Sequence, residues 1–568
     1  MKKIVIVSGG TGNDALLRGI CELYHNAEIR VLLNAYDDGK STGLCRRITN
    51  TLGVSDIRKN HYRMYSIKNK GNENQFIKSF YNDRFNLEHG NELLVVLSKL
   101  SLWSMSWMNE YAERFFNKVD SQITFDDFNI ANIIYSEMYN ELGYKETNKR
   151  MCQMLGIDDF VVLNSFENVA LGALTETSLL KDEASIVDFN NENDKIQSLT
   201  YSSESPIIIN NDAIDVINNA DIIVVSTGTF WSSILPTLEY GQLFKVINNS
   251  SAKKFWFLNN EEDKDAKGVG SNEFIDIVSK LGLNLKQFTI IENTDACELL
   301  RQPNDDYNVV YHSMGNNNGK HDGKKMAMAL FMEFYGIANM EFDNVLIDFD
   351  NTICSKNNEK DHAITGENLV EISKSKKYII VSGNDYKTSI YPTLKQYFGD
   401  TLYAFQNDVW ADASSVLYVM GKQVDVVPTH IIDFDEVKKA TKALELQLSI
   451  KPVSNNNETT TCLKIKPLTE LERNLMCSYL NDYLFDSIGI QGLKAIKAGR
   501  TTVDIIKQDN TKKSVFDYKN LSAVKTLYIG DELMDYGNDY EIAKCCTKAI
   551  QVEDIHETNL ILKLLNRK

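Results

Sequence analysis

Short apolar runs alternate with stretches of helical spacing along the whole chain. The runs at residues 3–8, 29–33, 221–226, 254–258, 345–348, 378–382 and 526–530 predict strands. Several are unbroken rather than alternating, as in parallel strands covered on both faces. Helical spacing appears at 15–24 and 324–335. Strand and helix in repeated succession predict an α/β protein with doubly wound sheets. Most of the strands run into Gly, Ser, Asn or Asp, and open α/β sheets bind ligands at such ends.

The helical run that closes at 335 meets Gly336-Ile337-Ala338-Asn339, and a new strand begins at Asn344. This seam predicts two Rossmann-like domains, 1–338 and 339–568, with no long linker. Asn-rich stretches at 190–194, 316–318 and 455–457 read as surface loops. At 568 residues the chain is too long for one core, which agrees with the seam. Apolar residues make up 43% and charged residues 24%, a globular balance. The formal net charge of −17 argues against a broad nucleic-acid or anionic-membrane surface, while leaving room for a local basic pocket. Nine cysteines without repeated spacing argue against a disulfide framework and for a reducing compartment. The opening apolar run stops at Ser8-Gly9-Gly10, too short for a signal peptide. No apolar stretch reaches the ~18 residues of a spanning helix. The expected location is the cytoplasm, with no membrane partner.

The chemistry is densest in the second half. Val345-Leu346-Ile347-Asp348-Phe349-Asp350 places two acids just past a buried strand. A carboxylate attacks phosphate only when a cation neutralises it, and an aspartyl-phosphate divides one hard step into two. A second acid can protonate the leaving oxygen and then activate water. Residues 379–382 end a strand on Ser382, suited to a phosphate oxygen, and Lys512 follows a polar turn. Residues 526–532 end another strand on Asp531 and Glu532, and Asp539 follows, so Asp531 and Asp539 can complete an oxygen-rich Mg²⁺ site. An Asp-x-Asp pair alone also fits an ordinary loop; four such elements in order do not.

These four elements resemble the haloacid dehalogenase (HAD) superfamily. The resemblance implies Asp348 as nucleophile, Asp350 as acid/base, and Ser382 with Lys512 on the phosphoryl group; Lys513 is the alternative lysine. Asp348, Asp531, Asp539 and the Asp350 carbonyl would serve Mg²⁺. The interval from Ser382 to Lys512 is too long for a loop and predicts an inserted α/β cap at about 390–500. The stretches 530–542 and 499–504 resemble phosphomannomutase and the sugar-phosphate phosphatases. That makes Arg500 a substrate candidate, with Lys464 and Lys466 as weaker ones.

In the first half, strand 3–7 enters Ser8-Gly9-Gly10-Thr11-Gly12, and a helix begins near Ala15. Glycines admit a ligand to the backbone and the helix start favours phosphate; a plain tight turn is the other reading. Asp37-Asp38-Gly39 with Ser41-Thr42-Gly43, then Arg46-Arg47 and Asp56-Ile57-Arg58, could hold a diphosphate and metal or merely cap a helix. Residues 220–236 form a third small-residue turn, Ser226-Thr227-Gly228-Thr229. Together with Gly90-Asn91 and His321-Asp322, these blocks resemble the CofD family over about 1–335. That family usually carries Gly-Pro-Gly-Ser at the third turn. It includes 2-phospho-L-lactate transferase and the gluconeogenesis factors. The resemblance implies nucleotide or substrate contacts at Gly9, Gly10, Thr11, Gly12, Asp37, Asp38, Ser41, Thr42, Arg58, Asn91 and Gly228, with Asp221 least secure.

The expected function is bifunctional. A CofD-like domain would transfer a phosphorylated small acid or sugar from a nucleotide-diphosphate-linked donor. A Mg²⁺-dependent HAD phosphatase would act on a phosphorylated sugar or small acid. The alternatives are a nucleotide-sugar-binding domain that regulates the phosphatase, and a HAD phosphomutase. Self-association into a homo-oligomer is left open.

Overall fold

The computed structural model describes residues 1–566, apart from 88–89, 121–122, 190, 192, 203–207, 264, 356–361, 399–407, 412–415, 420–421, 427–441, 443–452, 456–461, 467–468, 485–491, 499–501 and 509–510. The chain divides into two compact units, Lys2–Phe334 and Tyr335–Lys568, the latter with Met1. The division falls at the end of the helix Gly323–Tyr335, just before Gly336, which takes a positive φ of 63°. Among the described residues no helix is long and apolar enough to cross a membrane.

The first unit is built on a seven-stranded sheet. Its order is Asn308–His312, Phe288–Asn293, Lys253–Phe257, Ile222–Val225, Lys3–Val7, Glu28–Leu33, Val161–Leu163. Every pairing is parallel. The unbroken apolar runs explain the centre: Ile4 to Val7 and Ile222 to Val225 are all buried. Each such side chain withdrawn from water contributes roughly 1.5–3 kcal/mol. The chain moves from the first strand to the second in one direction. It later returns to lay Ile222–Val225 on the other side of Lys3–Val7. The first strand therefore borders a topological switch point, where α/β sheets open a crevice at the carboxyl ends of their strands. The helices Ser55–Lys68 and Ile130–Leu155 belong to a helical segment between the second and third strands. The longer one breaks at Gly143, whose φ of 74° is not helical.

The second unit has its own seven-stranded sheet, in the order Lys422–Val426, Val416–Val419, Asp408–Ala411, Lys377–Val381, Asn344–Asp348, Thr526–Gly530, Lys548–Gln551. The last five are parallel and the first two extend the edge as antiparallel strands. A separate antiparallel sheet has the order Val453–Asn455, Cys462–Lys466, Thr502–Lys507, Leu493–Ala498, with the helix Glu470–Tyr479 packed on it. This differs from the expected cap at about 390–500. Residues 408–426 continue the main sheet, because Asp408–Ala411 pairs directly with Lys377–Val381. The separate sheet runs on to Lys507.

Candidate functional site

The second unit gathers its acids at the carboxyl ends of three adjacent strands. Asn344–Asp348 lies between Lys377–Val381 and Thr526–Gly530, so Asp348, Ser382 and Asp531 emerge side by side. Ligand oxygens of Asp348, Asp531 and Asp539 lie within 4.8 Å of one another. The buried Lys512 ammonium donates to Asp348 Oδ1 and, at 2.6 Å, to Asp539 Oδ1. Tyr528 donates its hydroxyl to Asp539 Oδ1, and the Glu532 amide donates to Asp539 Oδ2 at 3.2 Å. Thr352 Oγ1 reaches Asp348 Oδ2 at 3.3 Å, and Asn351 Nδ2 reaches Asp531 Oδ2 at 3.0 Å. Burial and the neighbouring Asp539 push the Asp348 carboxyl well up, against the pull of Lys512. The same causes raise Asp531 to about 7. Burial alone would lower Lys512, but Asp348 and Asp539 outweigh it and hold the ammonium charged.

Asp350 stands apart from this triad as an exposed carboxylate, accepting from Asn384 Nδ2 at 2.5 Å. Ser382 is buried and its Oγ accepts from the Asn384 amide at 3.1 Å. Lys513, the alternative lysine, is exposed at the start of the helix Ser514–Tyr518. Glu532 is held by two cations of the separate sheet and its helix. Arg473 Nη2 donates to it at 2.9 Å and Lys497 Nζ lies at 3.8 Å. Lys497 and Asn538 also share a backbone hydrogen bond at 2.9 Å, which ties that sheet to the 531–539 loop. Arg500 lies outside the described residues. Lys464 and Lys466 sit on the strand Cys462–Lys466.

In the first unit the glycine turn after Lys3–Val7 meets the turn after Ile222–Val225. Thr227 Oγ1 donates to the Gly12 carbonyl at 2.7 Å. A Cβ on Gly12 would fall 2.0 Å from the Thr227 carbonyl oxygen, and one on Gly10 would fall 1.8 Å from Asp56 Oδ1. Gly12 is thus needed for the packing of backbone against backbone, whereas at Gly10 the obstacle is the Asp56 side chain. Gly9 is buried, and Thr11 is exposed at the turn's tip. Asn34 bridges the two sides by donating to the Ser233 carbonyl at 3.0 Å and to Thr237 Oγ1 at 2.8 Å.

Asp37 and Asp38 follow the second strand, in the same crevice. Asp37 Oδ1 accepts from the Gly39 amide at 2.9 Å, and Asp38 Oδ1 lies 3.9 Å from Arg46. Burial raises the Asp38 carboxyl. Glu183 faces this group. Burial, then the charges of Asp37 and Asp56, push its carboxyl up to about 8. Arg46 holds the stretch in place through the carbonyls of Tyr36 at 3.1 Å and Val169 at 2.6 Å. Arg63 does the same for the glycine turn, donating to the Gly10 carbonyl at 2.8 Å and to Asp14 at 2.6 Å.

Several expected contacts point elsewhere. Ser41 Oγ accepts from Asn132 Nδ2 at 2.9 Å, and Thr42 is buried beside it. Arg58 is buried against Asn132 Oδ1 at 2.8 Å and the Tyr81 carbonyl. Asp221 takes the Lys3 amide at 2.8 Å at the opposite, amino-terminal edge of the sheet, away from the crevice. Asn91 is exposed at the start of the helix Glu92–Leu102. In the third turn, Gly228 exchanges bonds with Asn259, and the amides of Phe230 and Ser232 donate to Asp263 and Asp265, each at 3.0 Å. The chain's own carboxylates therefore fill that anion position. Sequence reasoning did not single out Arg63, Glu183, Asp263, Asp265 or Tyr528. Tyr528 lies on the predicted strand 526–530, and the other four reach the site from elements whose orientation only tertiary packing decides.

Residues 4–331 match the family described as 2-phospho-L-lactate transferase CofD. A gluconeogenesis factor of Bacillus subtilis (strain 168) is 24% identical over 258 residues, covering 45% of this chain and 67% of that protein. Among solved structures, a upf0052 family member from Bacillus halodurans is similar at 16% identity, with 58% of this chain and 100% of that chain covered and a TM-score of 0.44. An IMP-bound Plasmodium falciparum IMP-nucleotidase is similar at 14% identity, covering 43% of this chain and 71% of that chain, with a TM-score of 0.34.

Proposed function

The chain belongs to the CofD family, and from that premise we propose a bifunctional enzyme. Its first unit takes a nucleotide-diphosphate-linked donor and transfers a phosphorylated small acid or sugar group. Its second unit is a HAD-type phosphomonoester hydrolase for a phosphorylated sugar or small acid. The observation that carries the second reading is Lys512, lodged between Asp348 and Asp539 beside Asp531.

Once ionised, the three carboxylates would outnumber the one ammonium by two charges in a buried site. Oxygen donors with that surplus fit Mg²⁺, held by Asp348, Asp531 and Asp539. When bound it would supply charge neutralisation for an incoming phosphoryl group and keep Asp348 ionised. Asp348 Oδ attacks phosphorus, and the bond from phosphorus to the leaving oxygen breaks as Asp350 gives that oxygen a proton. Asp350 then takes a proton from water, whose oxygen attacks phosphorus, releasing inorganic phosphate and free Asp348. Lys512 keeps the nucleophile oriented and offsets the phosphoryl charge throughout.

For the first unit, support comes from the crevice at the switch point. Two turns meet there, with Asp37, Asp38 and Glu183 on one side and Arg63 bracing the glycine turn. Asp37, Asp38 and Glu183 would hold a divalent cation, which would offset the charge of a diphosphate group. The regulatory alternative differs in one respect, because a sensor leaves its nucleotide ligand unchanged.

The test uses the full chain with Mg²⁺, a panel of phosphorylated sugars and acids, and nucleotide-linked donors. Asp348→Asn should abolish phosphate release while nucleotide binding persists. Wild-type phosphate release from Asp348→Asn overturns the hydrolase reading. A donor that changes phosphatase turnover without being consumed replaces the transferase by the sensor.

A further inference from the structure

The helical segment of the first unit brings together a histidine, a cysteine and an aspartate. His61 lies on the helix Ser55–Lys68 and Cys152 on the helix Ile130–Leu155, beyond its break at Gly143. Asp159 lies on the short link from that helix to the strand Val161–Leu163. One ligand atom from each lies within 4.8 Å of the others. His61 and Cys152 are buried, while Asp159 is exposed and opens the group to solvent.

The geometry is specific. His61 Nε2 stands 3.7 Å from Cys152 Sγ. Two ligands on one tetrahedral zinc ion, with Zn–S near 2.3 Å and Zn–N near 2.0 Å, stand about 3.5 Å apart. The other ring nitrogen, Nδ1, lies 2.8 Å from the Tyr135 hydroxyl, which lies 2.8 Å from the Tyr81 hydroxyl. With Nδ1–H donating to Tyr135, Nε2 turns its lone pair toward the sulfur. A polar partner on the distal nitrogen is the usual device for orienting a metal-binding histidine. None of these residues enters the proposed transfer or hydrolysis.

We propose that His61, Cys152 and Asp159 form a site for a thiophilic divalent cation of the Zn²⁺ class, with water as fourth ligand. Without the ion the group stays neutral at its buried end. Burial pushes the Cys152 thiol up to about 12 and the His61 imidazole down to about 3. On binding, the metal–sulfur bond forms as the sulfur–hydrogen bond breaks, and the proton leaves to solvent. Thiolate and carboxylate then balance the two positive charges. The ion fastens two helices to the link that feeds the edge strand Val161–Leu163. Mg²⁺ does not compete, since it takes oxygen donors and avoids sulfur.

The test is a Co²⁺ titration of the reduced, chelator-stripped full chain. The expected result is one equivalent bound with a sulfur-to-cobalt charge-transfer band and tetrahedral visible absorption, both bleached by Zn²⁺. The Asp348 cluster has only carboxylate ligands and produces no sulfur band. Cys152→Ser and His61→Gln should remove the band. Asp159→Asn changes an exposed side chain, so it should leave the circular dichroism intact and weaken Co²⁺ binding tenfold or more. Tyr135→Phe should weaken it by about 10–100-fold. A wild-type chain without the sulfur band, a band that survives Cys152→Ser, or unchanged affinity in Asp159→Asn would each overturn the proposal. The pair would then be a thiol–imidazole hydrogen bond in the core.

Discussion

Replacing Lys512 by methionine keeps most of its length and removes its charge. In the structure that charge touches two buried carboxylates, Asp348 and Asp539, with Asp531 close by. Removing one partner of a buried ion pair costs about 3–5 kcal/mol, since the other is left uncompensated. A domain's whole stability is only about 5–15 kcal/mol, so the loss is large. Two effects should therefore separate. Without Mg²⁺, the urea midpoint of the second unit should fall by an amount equivalent to about 3–5 kcal/mol. With Mg²⁺ at a hundredfold excess over its Kd, about 2.7 kcal/mol of any binding-linked stability is regained. Turnover should not recover, because the ammonium also stabilises the charge on the transferring group. Loss of such a preorganised donor typically costs about 10²–10³-fold in kcat. The assay is phosphate release from a generic aryl phosphate, run beside unfolding curves with and without Mg²⁺. Lys513→Met serves as the control, since that side chain is exposed. A Lys512→Met chain with wild-type turnover, or a Lys513→Met chain that loses it, would refute the reasoning.

Further substitutions probe the first unit. Gly12→Ala should disrupt the crevice more than Gly10→Ala, because the new Cβ meets the Thr227 backbone in one case and the Asp56 side chain in the other. Nucleotide-linked donor affinity, measured calorimetrically, should be rescued in Gly10→Ala by Asp56→Ala and not in Gly12→Ala by any single side-chain truncation nearby. Glu292 is buried on the strand Phe288–Asn293, and burial raises its carboxyl to about 7 from 4.5. A raised folded-state value favours the folded chain below the unfolded value, and that advantage is lost as pH rises through about 7. Between pH 4.5 and 8 the wild type should lose up to about 3 kcal/mol relative to Glu292→Gln, read as the difference between their urea midpoints. Parallel pH profiles for the two chains would contradict this.

The strands that carry Asp348, Ser382 and Asp531 were legible because each is an unbroken apolar run ending in a polar residue. Adjacent parallel strands must then bring those ends together. The choice between Lys512 and Lys513 is less legible, since neighbouring lysines differ only in which way a turn sends them. The first unit shows where pattern reading fails. Ser41 and Thr42 look like ligand hydroxyls, yet their partner Asn132 comes from a helix some ninety residues later. The amides of the third turn look free to bind an anion, yet Asp263 and Asp265 return from 33 residues away to fill them. The expected cap interval of about 390–500 takes in the strand Asp408–Ala411, because an apolar run reads alike in either sheet. Only its pairing with Lys377–Val381 assigns it to the larger one.

The bond from Thr227 to the Gly12 carbonyl spans 215 residues of sequence. Ribosomes add about 5–20 residues each second, so the two partners leave the peptidyl-transferase centre about 10 to 40 s apart. Through that interval Lys3–Val7 has only the strand Glu28–Leu33 available on one side, and its other edge awaits Ile222–Val225. Synthesis thus presents an apolar, half-paired strand first and its covering neighbour late. The crevice is finished by the middle of the chain, not its beginning. A nascent chain arrested before Ser226 carries the glycine turn without the segment that shapes it.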